Sequence, residues 1–372
     1  MDPQVIGAID KMDLVEARKG EHLRVTAKRD VNTRVGPGWA DIRLLHEALP
    51  ELDVEDVDLS VGFLGRCLQA PLLIAAMTGG HAMAHEINAV LARAAERHGL
   101  AMGVGSQRAA LRNPDLTYTY SVVRQEAPTA FLVANIGAPQ LVEQPSGRAL
   151  GVPEAEAAVA MIGADALAVH LNFLEESVQP EGDRRARGCA EAIRVVVEGA
   201  GVPVIAKETG AGLSRTTALR LRDLGVAALD VGGVGGTSFA AIEGLRAGAQ
   251  GDEKGRRLGE VLRDWGIPTA VAVVGATATG LPIVATGGVR TGLDAAKALA
   301  LGAALVGVAR PFLQAALEGE TAVDCLVEQL LHELRTVLFL TGCRRVADLR
   351  TRPRVVLGET RAWLDQLGYW DT

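Results

Sequence analysis

Aromatic side chains make up only 3% of the 372 residues, too few for a platform on which bases or sugar rings stack. Positive charge is also in deficit. Thirty-eight Lys and Arg face 45 Asp and Glu, a formal net charge of -7, which argues against nucleic acid as a partner. Any anion is then held locally. Cysteine is sparse, and Cys67, Cys189, Cys325 and Cys343 form no CxxC pair. Neither a zinc site nor a disulfide framework is indicated, and reduced, cytoplasmic thiols are the default. The N-terminal stretch MDPQVIGAIDKMDLVEARKGEHLRV is charged throughout and lacks the apolar core of a signal peptide. The longest apolar tract, 270–289, is broken by Gly, Thr and Pro, so no membrane span is expected there. Low-complexity segments and interdomain linkers are missing too.

What the chain does have is repetition. Eight short apolar segments end in polar or glycine-rich tips and recur at intervals of roughly thirty residues, the spacing of a TIM (β/α)8 barrel. They are PLLIAAM (71–77), AMGVGS (101–106), FLVANIG (131–137), ALAVHLN (166–172), VPVIAKE (202–208), ALDVGG (228–233), PIVATGG (282–288) and ALVGVAR (304–310). Continuous Val, Ile, Leu and Ala suit parallel strands buried on both faces, and Ala-rich stretches of helical spacing lie between most of them. An open doubly wound sheet has the same alternation; eight units and no GxGxxG unit standing apart favour the barrel. With 48% hydrophobic residues, one large domain over 1–372 is expected. It comprises an extension (1–70), the barrel (71–310) and C-terminal helices (311–372). The Gly-rich, charged stretch 244–270 reads as a mobile loop serving as a lid.

Chemistry in such a barrel sits at the C-terminal ends of the strands. Those ends supply Met77 and Thr78, Ser106 and Arg108, Asn135, His170 and Asn172, Lys207 and Glu208, and Thr237 after a glycine loop. Gly287 and Gly288, followed by Arg290 and a helix start, offer backbone N–H groups and a helix dipole to a phosphate, and Ala309 and Arg310 converge from the next loop. The plainer alternative is that the glycines only permit a tight turn. Lys207 either stabilises negative charge on a cofactor ring or pairs with Glu208. The stretch HLNFLEESVQPEGD puts His170, Asn172, Glu175 and Glu176 within seven residues, combining anion donors with carboxylates suited to proton transfer or Mg²⁺. GGVGGTSFAAIE (232–243) gives a close-approach loop and a helix that could present Glu243.

The motifs RKGEH, AAMTGG, GSQRAAL, NIGAPQL, HLN with QPEGDR, KETGAGLS, GGVGGTSFAAIE, ATGGVRTGLDAAKALALGA, ARPFL and VVLGETRAWL run in order over almost the whole chain. In them the chain resembles the type 2 isopentenyl-diphosphate isomerases, FMN-dependent barrels that interconvert isopentenyl and dimethylallyl diphosphate with Mg²⁺ and a reduced flavin. The resemblance implies FMN at Ala76, Met77, Thr78, Ser106, Asn135, Lys207, Thr237, Gly287, Gly288, Arg290, Ala309 and Arg310. It implies substrate at Arg18, Lys19, His22, Arg108, His170, Asn172 and Glu175, and Mg²⁺ at Glu176. Glu175, Glu243 and His170 are the expected catalytic side chains. NAD(P)H would serve to reduce the flavin, and a cytoplasmic homo-oligomer, tetramer or octamer, is expected. Two positions depart from the pattern: Glu175 stands where the family has Gln, and Gly232 where it usually has Ser. Two alternatives follow, an FMN enzyme for a modified prenyl diphosphate or a small anion such as a 2-hydroxy acid, and a non-catalytic flavin or prenyl-diphosphate binder.

Overall fold

A computed structural model describes residues 29–370; Arg18, Lys19 and His22 lie outside them. Each of the eight apolar segments carries a strand: β1 (Leu72–Ile74), β2 (Ala101–Gly103), β3 (Phe131–Gly137), β4 (Ala166–Leu171), β5 (Val204–Glu208), β6 (Ala228–Asp230), β7 (Ile283–Thr286) and β8 (Leu305–Val308). All pair in parallel, and β8 returns to β1 through Val306 opposite Leu72, closing the barrel. Closure excludes the open sheet. Alternation along the strands divides their side chains. Leu72, Ile74, Leu132 and Ala134 face the surrounding helices, whereas Leu73, Phe131, Val133 and Ile205 point into the barrel. Both sets are buried, so the runs read as continuously apolar.

The base of the barrel is closed by the N-terminal extension. Strands Val61–Phe63 and Arg66–Leu68 form an antiparallel hairpin whose two-residue turn, Leu64-Gly65, has both φ angles positive, at 45° and 81°. Such turns match the natural twist of a hairpin. Phe63 and Leu68 join the interior cluster, with the Phe63 ring edge-on to Phe131 at 5.6 Å between centroids. Elsewhere Ile42–Leu44 pairs with Arg354–Val356, which ties the extension to the C-terminal region. That region is helical at Glu320–Leu340 and Gly358–Leu367, as its amphipathic pattern suggested.

The stretch 244–270 departs from expectation, being largely helical rather than a mobile loop. Helix α1 (Phe239–Ala249) runs into it and helix α2 (Glu253–Val261) follows. Its glycines serve close packing: a Cβ on Gly259 would come within 2.5 Å of the Gly244 Cα. Glycine content that suggested freedom therefore reflects two helix backbones in contact, and the segment forms a wall of the mouth. The apolar tract 270–289 divides into a helix, Thr269–Thr277, and β7. Among the described residues no helix is long and apolar enough to cross a membrane.

Candidate active site

Above the apolar base the barrel interior opens into a cavity of about 390 Å³ lined by Phe63, Leu73, Ala76, Gly103, Val133, Asn135, Ala168, Ile205, Lys207, Asp230 and Val284. Ala76, Gly103 and Ala168 leave the room; Asn135, Lys207 and Asp230 supply the polarity. Register sets Lys207 beside His170 on one side and Asp230 on the other. Lys207 does not pair with the Glu208 carboxylate. Its Nζ donates to the Glu208 carbonyl at 2.9 Å, while Glu208 Oε2 accepts from the N–H groups of Gly210, Ala211 and Gly212 at 2.7, 2.5 and 3.0 Å. Burial pushes the Glu208 carboxyl up to about 7 despite those donors. Asp230, also buried, is raised by burial, with the Lys207 charge opposing.

The two glycine loops meet. Gly287 and Gly288 have φ of 128° and 68°, and a side chain on Gly288 would collide with the Gly235 carbonyl. The glycines thus allow both the turn and the approach of the β6 loop that carries Thr237. The N-terminal arm crosses the same loop: Ser238 N–H donates to the Val31 carbonyl at 2.7 Å, and Thr33 N–H to that of Gly236 at 2.8 Å. Arg290 and Arg310 stand together here, both donating to Asn32 Oδ1, at 3.4 and 3.0 Å. Removal of its guanidinium from water, then the Arg310 charge, lowers the Arg290 pKa. Among the described residues, the Arg310 Nε is buried without a hydrogen-bond partner. Two cations side by side with a spare buried donor form a receptor for an anion.

At the β4 tip a buried network assembles the acidic motif. Asn135 Nδ2 donates to the Val104 carbonyl at 2.9 Å, which turns its oxygen toward His170 Nδ1, 2.8 Å away, and makes Nδ1 the donor. Asn172 Nδ2 donates to Glu175 Oε2 at 3.0 Å and to Glu176 Oε1 at 3.3 Å. Glu176, 5% exposed, also accepts from Gln140 Nε2 at 3.2 Å and from Asp183 N–H at 2.7 Å. Arg108 forms a 2.7 Å salt bridge to Asp183. Burial pushes the Asp183 carboxyl up, but hydrogen bonds from Ser146 and Gln140 and the Arg108 charge outweigh it and hold it below its usual range. Gln140 and Asp183 were not singled out from the chain, although both sit inside quoted motifs. Only folding reveals that one amide bridges Glu176 and Asp183.

Glu243 is fully buried on α1, ion-paired with Arg246, which also reaches Glu181 at 3.3 Å. It lines neither the interior cavity nor a second one, of about 250 Å³, at the mouth. Glu175 does line the mouth cavity, with Leu174, Glu208, Phe239, Arg263 and Trp265 among its neighbours. The helix carrying Glu175 and Glu176, Phe173–Val178, packs on α1, so Glu243 stands behind the acidic motif. Thr78 is held by Gly105 N–H on its carbonyl at 2.9 Å, and the Ser106 carbonyl accepts from Tyr120 Oη at 2.6 Å.

A closed parallel barrel with paired arginines after its seventh and eighth strands has the phosphate position usual for the fold, and the pattern of the FMN-dependent dehydrogenases matches residues 27–355. A structure of a mandelate oxidase variant with a monooxide FMN adduct has a TM-score of 0.62 at 19% identity, covering 93% of this chain and 100% of that one; a likeness at that identity speaks for the fold alone. Curated relatives are more similar in sequence. The isopentenyl-diphosphate delta-isomerase of Methanosarcina barkeri is 49% identical over 353 residues, 95% of each chain. That of Methanoregula boonei is 49% identical over 361 residues, 96% of this chain and 98% of its own. Within the FMN-dependent class, the chain belongs to the type 2 isopentenyl-diphosphate delta-isomerase family.

Proposed function

We propose that the chain interconverts isopentenyl and dimethylallyl diphosphate at the barrel mouth, with FMN and Mg²⁺. The observation that carries this reading is the gathering at one end of the barrel of His170, fixed by Asn135, and of Asn172, bonded to Glu175 and Glu176, beside a cavity bearing Lys207 and Asp230. It combines diphosphate donors, a metal-binding carboxylate and space for a ring.

The residues fit an FMN. Arg290, Arg310 and the glycine loops would hold its phosphate, with Lys207, Asn135, Thr237 and the 76–78 and 106 tips around the ring. When bound and reduced, the flavin supplies a proton-transferring group next to the substrate. The chain's own side chains do the rest. Arg108, His170 and Asn172 orient the diphosphate, with His170 fixed by Asn135 so that its Nδ1 is already spent as donor. Leu174 and Phe239 are apolar groups of the mouth that would face a C5 tail. Glu175 is the remaining catalytic candidate; Glu243, which lines neither cavity, is not placed to touch the substrate and would act only as a positioning residue behind the packed helix. For Mg²⁺, no cluster of three His, Cys, Asp or Glu is present among the described residues, so Glu176 fits an ion shared with diphosphate oxygens and water. Mg²⁺ alone is then expected to bind weakly, and together with substrate tightly.

Glu175 in place of Gln suits the same reaction. Asn172 donates to its Oε2, and the amide oxygen of Gln offers the same acceptor. The divergent-substrate reading predicts a tight flavin with no isomerase turnover. We extend the proposal to one domain over 1–372, NAD(P)H as flavin reductant and a cytoplasmic tetramer or octamer, the assembly being checked by light scattering. The deciding test is anaerobic incubation with FMN, a reductant, Mg²⁺ and isopentenyl diphosphate, with dimethylallyl diphosphate followed by chromatography. Product that needs both reduced flavin and Mg²⁺ is expected; bound flavin without product overturns the isomerase reading.

A further inference from the structure

We infer that Asn32, in the N-terminal arm, is a cofactor-positioning residue: its amide oxygen gathers Arg290 and Arg310 into a doubly positive site for the flavin phosphate. The inference rests on the proposed FMN site and assigns a role to a part of the chain that no strand tip contains.

Among the described residues, both guanidiniums donate only to neutral acceptors. Arg290 donates to the Val289 carbonyl at 3.2 Å and to Asn32 Oδ1 at 3.4 Å. Arg310 donates to Asn32 Oδ1 at 3.0 Å and to the Arg29 carbonyl at 2.9 Å, and its Nε is buried without a partner. The nearby Asp294 carboxylate caps the N–H groups of Arg290 and Thr291 instead. Both positive charges are thus preserved, at a cost in mutual repulsion that an anion relieves. Asn32 is itself held in one orientation. Its Nδ2 donates to Asp30 Oδ1 at 3.3 Å, leaving the oxygen for the arginines, and its carbonyl accepts from Arg263 Nε at 2.9 Å. Pairing with Thr237 across an isolated bridge sets it against the β6 loop. An amide holds the pair without neutralising it; a carboxylate there would fill the receptor from inside.

The test compares FMN with riboflavin, which lacks the phosphate, by quenching of flavin fluorescence on titration with flavin-free full-length protein. Asn32→Asp is expected to weaken FMN about tenfold and riboflavin less than about twofold. Asn32→Ala, which adds no charge and serves where the Asp variant fails to fold, is expected to weaken FMN alone by about threefold. Unchanged FMN affinity, or equal loss of both flavins, overturns the inference, the second outcome meaning a purely structural role. Arg310→Ala separates the two levels of the argument. If it weakens FMN selectively while both Asn32 variants do not, only the role of Asn32 falls; if it leaves the FMN-to-riboflavin ratio unchanged, the phosphate site falls and the inference with it.

Discussion

At the base of the barrel, Phe63 and Leu68 of the hairpin meet Leu73, Phe131 and Ile205 in an apolar core. At the mouth, the same strands end in His170, Lys207, Glu208 and Asp230, each held against a specific neighbour or shifted by one. The base is closed by apolar packing, the edge-on Phe63–Phe131 contact included. The mouth depends on individual donors and acceptors, because each buried polar group without its partner costs stability. Stability and chemistry are thus separated along the strand axis, as expected for this architecture.

The comparison breaks most sharply at the base. Phe131→Ala, in the basal cluster and outside the cavity lining, is expected to destabilise the fold by roughly 3 to 5 kcal/mol in denaturant titration, while FMN affinity of the folded fraction stays unchanged; loss of flavin binding by folded protein would contradict the separation. Glu176→Ala is the counterpart at the mouth. It is expected to lower Mg²⁺-dependent turnover about a hundredfold, with FMN retained, and full turnover would remove Glu176 from the metal site.

A smaller effect distinguishes the two ends by pH. With Glu208 raised to about 7 in the fold, the folded state holds a proton that the unfolded chain has lost between roughly pH 4 and 7. Stability therefore falls as pH rises through that window, by up to about one proton's worth of slope. Glu208→Gln should flatten it, measured as denaturation midpoint against pH; an unchanged slope would show that Glu208 does not titrate there. The smallest effect belongs to Glu175→Gln, which should keep turnover within about threefold of the native chain or raise it, since the acceptor facing Asn172 is kept. A large fall would mean that Glu175 does more than stand in for an amide.

The eight strands were legible because parallel strands covered on both faces must be apolar over their whole length, and the polar tips mark where that requirement stops. PLLIAAM and FLVANIG announce β1 and β3 without reference to anything distant. The 244–270 segment misled for an equally local reason. Glycine reads as freedom until the partner backbone is known, and Gly259 faces Gly244 only after two helices have packed. The Lys207–Glu208 ion pair, entertained from adjacency, does not form, because neighbours in a strand point to opposite faces. Glu208 turns to the amides of its own loop instead.

Eight-fold periodicity, the net negative charge and the residue types at each tip follow from the chain read in order, since hydrophobic period and composition are local properties. Which tips touch is another matter. That Gln140 joins Glu176 to Asp183, that Arg108 pairs with Asp183, and that Asn32 accepts from two arginines far along the chain were decided by closure of the barrel. Hydrogen bonds between residues distant in sequence depend on angles and distances that only the assembled strands provide.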